Sequence, residues 1–267
     1  GHKLVQVCRS RFDTWTTVRS VYRDYEHYGF YTPDRTLGGV EACRFDTVVK
    51  AFAIARPDAV VNAVGVIKQL PGAKDPVLSL TVNSLFPHQL AALCRVAGAR
   101  LIHISTDCVF SGLRGRYTEQ DPSDAEDLYG RSKYLGEVGD SGCVTFRTSM
   151  IGRELRTAAG LVEWFLSQRG GQVAGYRRAW FSGLTTLSFA GIVATTLERE
   201  DLVGVYHAAG DPISKFDLLS LLNVVFETHV VIEPDFALSV DRTLDASRLR
   251  AAIGFHAPAW PTMVEEL

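Results

Sequence analysis

Two side chains that could pass a proton between them stand four residues apart, Tyr129 and Lys133, in a segment from Leu128 to Val138 that reads as a helix. Residues i and i+4 share a helix face. A free phenol has a pKa of about 10 and holds its proton at neutral pH. A nearby ammonium favours the phenolate, which eases proton exchange with a substrate oxygen. Thr106 lies at the end of the apolar strand Leu101–Ser105, where its hydroxyl could bind the same oxygen. Together the three side chains are a candidate carbonyl-reducing site. A Tyr-x-x-x-Lys pair alone says little, since tyrosine often edges a core while lysine reaches for water. Ser105-Thr106-Asp107 before the pair and Gly136-Glu137 after it strengthen the reading.

Bulk properties narrow the alternatives. The chain has 267 residues, 46% of them apolar, and a formal charge of −2. That composition suits a globular protein rather than a disordered one, and the charge argues against a general nucleic-acid binder. The most apolar stretch, Val48 to Ile67, is interrupted by Lys50, Arg56, Pro57 and Asp58. No run reaches the length needed to span a bilayer, and no signal peptide is visible at the start. A cytoplasmic protein with no membrane partner is expected. Cys8, Cys43, Cys94, Cys108 and Cys143 are scattered, with no Cys-x-x-Cys spacing or His-rich cluster. Free thiols and no metal site are expected. Cys108 falls beside the candidate site, where small-residue packing is its plainest role.

The elements that must position these groups follow in chain order. Gly1 to Arg9 reads as a helix already under way, with Leu4, Val7 and Cys8 on one face. A short strand follows, ending in the basic Arg19, then a polar, aromatic loop to about Pro33 and a second short strand near residues 39–42. Phe45, Val48, Val49, Phe52 and Ala55 have helical spacing, stopped by Pro57. Ala59 to Gly65 suits a buried parallel strand. Residues 83–97 are helical, with Asn83 equally suited to an N-cap. Residues 101–105 and 144–149 are strands on either side of the Tyr129 helix. Strand–helix alternation implies a doubly wound, mostly parallel α/β sheet. Residues 1–150 are expected to form this Rossmann-like domain, and residues 151–267 a smaller substrate-binding region over its carboxyl edge, where such sheets bind ligands. In that region residues 187–197 and 214–226 read as helices, the second capped through Ser214 and Asp217, with a strand at 204–208.

The blocks Pro57-Asp-Ala-Val-Val-Asn-Ala-Val-Gly, Val82-Asn83, Gly98-Ala-Arg-Leu-Ile-His-Ile-Ser-Thr-Asp-Cys-Val-Phe-Ser-Gly, Tyr117-Thr-Glu, Asp127-Leu-Tyr-Gly-Arg-Ser-Lys-Tyr-Leu-Gly-Glu and Phe146-Arg-Thr-Ser resemble the extended short-chain dehydrogenases/reductases. The likeness is greatest to the dTDP-4-dehydrorhamnose reductase group of sugar-nucleotide reductases. It covers nearly the whole chain and is most specific between about residues 57 and 152.

The resemblance implies that Tyr129 protonates the carbonyl oxygen as hydride arrives from a nicotinamide. Lys133 would lower the tyrosine's pKa and bind the nicotinamide ribose. Thr106 would hold the substrate oxygen, and Asp107 would support the sugar or a proton relay. Asn62, Ala63, Val64, Gly65 and Asn83 would line the cofactor, and Thr148 and Ser149 would face its carboxamide. In the family a first strand and a Gly-x-x-Gly-x-x-Gly loop hold the pyrophosphate at a helix N-terminus. Here Gly1 matches the last of those glycines. Roughly ten or more residues are therefore expected upstream in the natural protein, a strand plus its loop. Met150 stands where the rhamnose enzymes carry tryptophan, and Cys108 where a tyrosine is common, so both touch the expected pocket.

Arg19, at the end of the second family strand, could pair with a 2′-phosphate, which favours NADP with NAD as the alternative. Arg23 is a second candidate. Arg153, Arg156, Arg169, Arg177 and Arg178 crowd the region after the sheet, and one or two are expected on the diphosphate of a nucleotide sugar. Phe181-Ser-Gly-Leu-Thr-Thr186 resembles the family's substrate-closing loop, which makes Thr185 a candidate contact beside Met150 and Arg153. The leading expectation is reduction of a 4-keto nucleotide sugar for surface polysaccharide, by a chain that could form a homodimer. One alternative is an epimerase, with His88, His103 or Cys108 as the extra acid/base. Another is a non-catalytic docking module like the regulatory subunit of methionine adenosyltransferase.

Overall fold

The computed structural model describes the whole chain apart from Leu70, Ser141 and Thr157. It opens with α1 (His2–Cys8), which has Gly1 at its N-cap, and a short strand β1 (Thr16–Thr17). A tyrosine-rich loop then leads to β2 (Thr36–Leu37). This second strand lies earlier than residues 39–42, because the backbone turns at Gly39, where φ is +72°. Helix α2 (Phe45–Ala55) ends on Arg56 in the left-handed conformation just before Pro57. Strand β3 (Ala59–Asn62) stops short of Gly65. There the Asn62 side-chain oxygen accepts from the Val64 amide at 3.1 Å and folds the chain out of the sheet.

The next helix starts seven residues before position 83, with Asp75 as its N-cap. It runs from α3 (Pro76–Ser79) through a π turn at Leu80–Leu85 into α4 (Phe86–Ala97). Asn83 therefore caps nothing; it lies inside the π turn. Strand β4 (Arg100–Ile104) is followed by a 3-10 turn at Asp107–Val109, α5 (Leu128–Leu135), β5 (Cys143–Arg147) and β6 (Met150–Ile151). The remainder comprises α6 (Leu161–Leu166), β7 (Gln172–Phe181), β8 (Leu184–Thr185) and α7 (Thr186–Leu197). It closes with β9 (Gly204–His207), β10 (Ile213–Ser214), α8 (Lys215–Val225), β11 (Val231–Asp241), α9 (Ser247–Ile253) and α10 (Trp260–Glu265).

The central sheet is wholly parallel, in the order β3-β4-β5-β9, and β1 and β2 form a separate parallel pair. This is the Rossmann-like, mostly parallel α/β architecture read from the strand–helix alternation. Its fourth strand comes from residues beyond 150. Both faces of the sheet are covered. Phe86, Leu90, Cys94 and Leu101 pack with α2 side chains on one side. Ile102, Phe146, Phe189, Ile192, Leu218 and Leu249 form the larger core on the other. Each fully buried Phe, Leu or Ile there stabilises the fold by roughly 1.5–3 kcal/mol. A second sheet, β10-β7-β11, lies wholly within the last hundred residues and was not legible in the sequence.

Candidate active site

The carboxyl end of β4 and the first turn of α5 meet at the site. Asp127 caps α5 by accepting from the Gly130 amide at 2.7 Å, and its other oxygen pairs with Lys68 at 2.6 Å. A β-carbon on Gly130 would collide with the Cys108 carbonyl and the Ala125 side chain. Only glycine lets the helix sit on the Thr106–Cys108 turn, and that approach brings Tyr129 to Thr106. Gly136, at the other end of the helix, sits equally close to the Asn83 backbone.

Around Thr106 the polar groups are chained. Its hydroxyl donates to the Asp107 carboxylate at 3.2 Å, accepts from the Cys108 amide at 3.1 Å and hydrogen-bonds with the Tyr129 phenol. Burial raises the phenol above its ordinary value, the Cys108 thiol adds to the rise, and the Thr106 bond opposes it. Lys133 is buried, and its ammonium donates to the Ile104 carbonyl at 2.6 Å. Burial brings that ammonium down to about 8, opposed by Glu137. The expected lowering of the tyrosine by Lys133 is thus corrected: the ammonium is turned to the end of β4, and the net effect on the phenol is upward. Burial also raises the Asp107 carboxyl, against the pull of Arg242 and Lys215, and pushes the Cys108 thiol up to about 12.

A buried ion pair braces the site from below. Arg147 on β5 donates to both oxygens of Glu137, at 2.8 and 2.7 Å, and the Ser105 hydroxyl donates to the same carboxylate at 2.8 Å. The clamp ties β5 and the segment after α5 to the residue preceding Thr106.

On the cofactor side, Ala63, Val64 and Gly65 are exposed at the carboxyl end of β3. A β-carbon on Gly65 would lie 3.4 Å from the Asn83 side-chain oxygen and 3.8 Å from the Lys133 nitrogen. This bare backbone beside Lys133 fits the close passage of a dinucleotide. Asn62 and Asn83 are buried and committed to protein partners. Asn62 bonds to the Val64 amide and the His103 ring. Asn83 bonds to both backbone groups of Val66 and to the Ser132 hydroxyl. Their role is to hold the lining in place rather than to touch a ligand through their side chains. Thr148 is buried with its hydroxyl on the Ser149 carbonyl, and its own carbonyl accepts from the Asp107 amide. Met150 is 39% exposed just beyond them. Gly1 is exposed at the N-cap of α1, and Arg19 is exposed two residues past β1.

One expected substrate contact is corrected. Thr185 is completely buried and caps α7, accepting from the Ser188 amide. Arg153 is paired with Glu163 at 2.6 Å. The other arginines of that region are also engaged: Arg169 on the Phe226 and Glu227 carbonyls, Arg177 on Asp217, Arg156 over Tyr25 and Arg178 over Phe236. The cations near Asp107 are instead Lys215 and Arg242. Arg242 is held by the Phe110 carbonyl at 2.9 Å and the Ser111 carbonyl at 3.1 Å. The Lys215 ammonium lies 3.8 Å over the Phe181 ring and has no hydrogen-bond or ion-pair partner among the described residues. Neither residue stood out in the sequence, since each is an isolated basic residue far from the motifs. Of the histidines considered as extra acids, His103 is fully buried, held neutral by burial and bonded to Asn62, while His88 bonds to the Leu135 carbonyl.

A parallel sheet that presents Ser-Thr-Asp at one strand end and Tyr-x-x-x-Lys on the next helix defines an extended short-chain dehydrogenase/reductase. Comparison with known proteins narrows the class. Residues 21–175 match the family described as the RmlD substrate binding domain, more than half of the chain, and the protein belongs to that family. It is 40% identical over 91 residues to a dTDP-4-dehydrorhamnose reductase of Streptomyces griseus, covering 34% of this chain and 30% of that protein. It is 35% identical over 113 residues to the enzyme of the same name from Burkholderia thailandensis, covering 40% and 38% respectively. The matched segment thus spans about a third of the length of these curated relatives. Among solved structures, the fold is that of a hypothetical dTDP-4-dehydrorhamnose reductase from Sulfolobus tokodaii, with a TM-score of 0.81 at 21% identity, covering 97% of this chain and 94% of that one. It is also that of the Bacillus anthracis dTDP-4-dehydrorhamnose reductase solved with NADP, with a TM-score of 0.78 at 18% identity, covering 95% and 97%.

Proposed function

We propose that this protein reduces the 4-keto group of a nucleotide-activated deoxysugar with NADPH, yielding a precursor for surface polysaccharide. The observation that carries the reading is the convergence of Thr106, Asp107, Tyr129 and Lys133 at the carboxyl end of β4, beside the bare backbone of residues 63–65. Family membership and the names of the curated relatives support it.

NADPH, when bound, supplies the hydride. The chain's own residues do the rest. Thr106 and Tyr129 hold the carbonyl oxygen between two hydroxyls, which orients the ketone. Tyr129 then donates its proton to that oxygen. A donor must begin protonated, and burial keeps the phenol so at neutral pH. The developing alkoxide is a stronger base than phenolate, so the transfer runs downhill once charge builds on the oxygen. In this reading Lys133, fixed by the Ile104 carbonyl and adjacent to Gly65, binds the cofactor's ribose hydroxyls. When substrate enters, Thr106 turns its single hydroxyl proton from the Asp107 carboxylate to the ketone oxygen.

Lys215 and Arg242 bring positive charge to Asp107 from α8 and from just past β11, and we assign them to the substrate's anionic diphosphate. In this reading residues 1–150 carry the dinucleotide and residues 151–267 supply the substrate side, with β9 completing the sheet. The test is NADPH oxidation by the purified protein with dTDP-4-keto-6-deoxysugars, repeated with NADH. Turnover with NADPH preferred is expected. No turnover with either nucleotide across the panel refutes the assignment, and a preference for NADH removes Arg19 as a 2′-phosphate ligand.

A further inference from the structure

The segment that leaves the Thr106–Asp107 turn folds around one buried side chain, Tyr117. The Tyr117 phenol oxygen accepts from the Gly112 amide at 3.2 Å and from the Arg114 amide at 3.3 Å. Its ring stacks on Phe110, with centroids 4.1 Å apart and planes 7° from parallel. Residues 110–117 therefore close into a turn over the tyrosine that ends it. Gly112 and Gly115 take φ of +88° and +76° in that turn, which glycine adopts without strain. A ring that only filled the core would serve as well without its hydroxyl; here the hydroxyl shapes the backbone.

The turn is clasped to the end of β11. The Asp241 amide donates to the Gly112 carbonyl at 2.7 Å, the Arg116 amide to the Thr243 hydroxyl at 2.8 Å and the Tyr117 amide to the Thr243 carbonyl at 2.9 Å. Arg242 lies between these bonds. Its Nε donates to the Phe110 carbonyl and its Nη2 to the Ser111 carbonyl, both at the entry to the turn. Its Nη1 has no hydrogen-bond partner among the described residues. The guanidinium is thus fixed before an anion arrives, which removes the entropy cost of ordering a long side chain on binding. The two carbonyls that fix it directly precede Gly112, the residue whose amide the phenol holds.

We propose that Tyr117 is a positioning residue for the anionic end of the substrate: its phenol fixes the turn whose carbonyls hold Arg242 ready for the diphosphate. The proposal rests on the assignment of Arg242 to the diphosphate made above. Tyr117 touches no ligand and acts through Arg242 alone. Without the phenol oxygen the Gly112 and Arg114 amides lose their acceptor, the turn loosens at the Phe110 and Ser111 carbonyls, and the guanidinium regains the freedom that binding must then remove.

Tyr117→Phe keeps the stacked ring and removes the oxygen. Titration calorimetry with dTDP and, separately, with thymidine isolates the effect on the diphosphate. Arg242→Gln is expected to weaken dTDP by about tenfold or more, as for a lost charge-assisted bond, and Tyr117→Phe by about fivefold, the factor for one net hydrogen bond. Thymidine affinity is expected to stay within about twofold of the wild type in both. The double variant is expected to bind dTDP as Arg242→Gln does, since the tyrosine then has nothing to position. Gly115→Ala, whose β-carbon would collide with the Asp241 carboxylate, disturbs the clasp from its other side and is expected to weaken dTDP likewise; it carries the test if Tyr117→Phe does not fold. Unchanged dTDP affinity, an equal loss for thymidine, or losses that add in the double variant overturn the positioning role and leave the reductase reading standing. Wild-type dTDP affinity in Arg242→Gln, or a wild type that does not bind dTDP, overturns the diphosphate assignment and the proposal together.

Discussion

Cutting the clamp beneath the site by Arg147→Met has an outcome that can be sized from the structure. The Arg147 and Glu137 side chains are 5% and 7% exposed, and their two charge-assisted bonds at 2.8 and 2.7 Å are joined by the Ser105 bond at 2.8 Å. Removing the arginine leaves the Glu137 carboxylate buried, with the Ser105 hydroxyl as its remaining side-chain donor. Breaking a buried pair from one side costs about 3–5 kcal/mol. For a chain of this size that corresponds to a fall in Tm on the order of 10 °C. Because Ser105 precedes Thr106, the loss is expected to lower turnover beyond what stability alone explains. Glu137→Gln in the Arg147→Met background removes the stranded charge and is expected to restore about half or more of the lost stability. Urea denaturation of the single and double variants measures both quantities. An Arg147→Met variant within about 1 kcal/mol of wild type, or a double variant less stable than Arg147→Met alone, refutes the electrostatic account of the clamp.

Two further outcomes follow from the helix that carries the site. Burial brings the Lys133 ammonium down to about 8 in the folded protein, so between pH 8 and about 10.5 the unfolded chain binds more protons than the native one. Its penalty, about 3 kcal/mol, is fully present below pH 8 and fades as pH rises through that window; Lys133→Met is expected to gain most over wild type near pH 7 and least near pH 10, and parallel pH profiles would count against it. Gly130→Ala drives a methyl into the Cys108 carbonyl and is expected to cost at least 1–3 kcal/mol, roughly the range for overpacking, and to lower turnover by displacing Tyr129 from Thr106; wild-type stability and turnover would show that the close approach is not needed.

The sheet and the position of the candidate site residues on it were legible in the sequence because both are written locally. Residues 59–62, 100–104 and 143–147 are apolar runs bounded by helix-period segments, and Tyr129 and Lys133 are one turn apart on a single helix. What was not legible depends on contacts across the chain. β7 carries Arg177 and Arg178 in its middle and pairs with β11 some sixty residues later, so neither strand announces its partner. The aromatic run from Tyr22 to Tyr31 read as a loop, and the hydrogen bond from its Tyr28 hydroxyl to the Leu155 carbonyl has no local trace. Thr185 was misread as a ligand contact because a hydroxyl side chain looks alike whether it meets a substrate or a helix end. Lys215 carries no local signal, and its proximity to Asp107 comes from tertiary packing that seats α8 against β7, β10 and β11. The direction of the Tyr129 shift was likewise set by burial and by Cys108, neither visible in the four-residue spacing.

The most direct measurement is single-turnover reduction of a dTDP-4-keto-6-deoxysugar by NADPH-loaded Tyr129→Phe protein, followed by nicotinamide absorbance. With the phenolic proton gone and the ring retained, NADPH binding should match the wild type while the reduction rate falls by about 10²–10⁴-fold, the range for a lost general acid. Reduction within about fivefold of the wild-type rate, at unchanged NADPH affinity, would place the proton donor elsewhere.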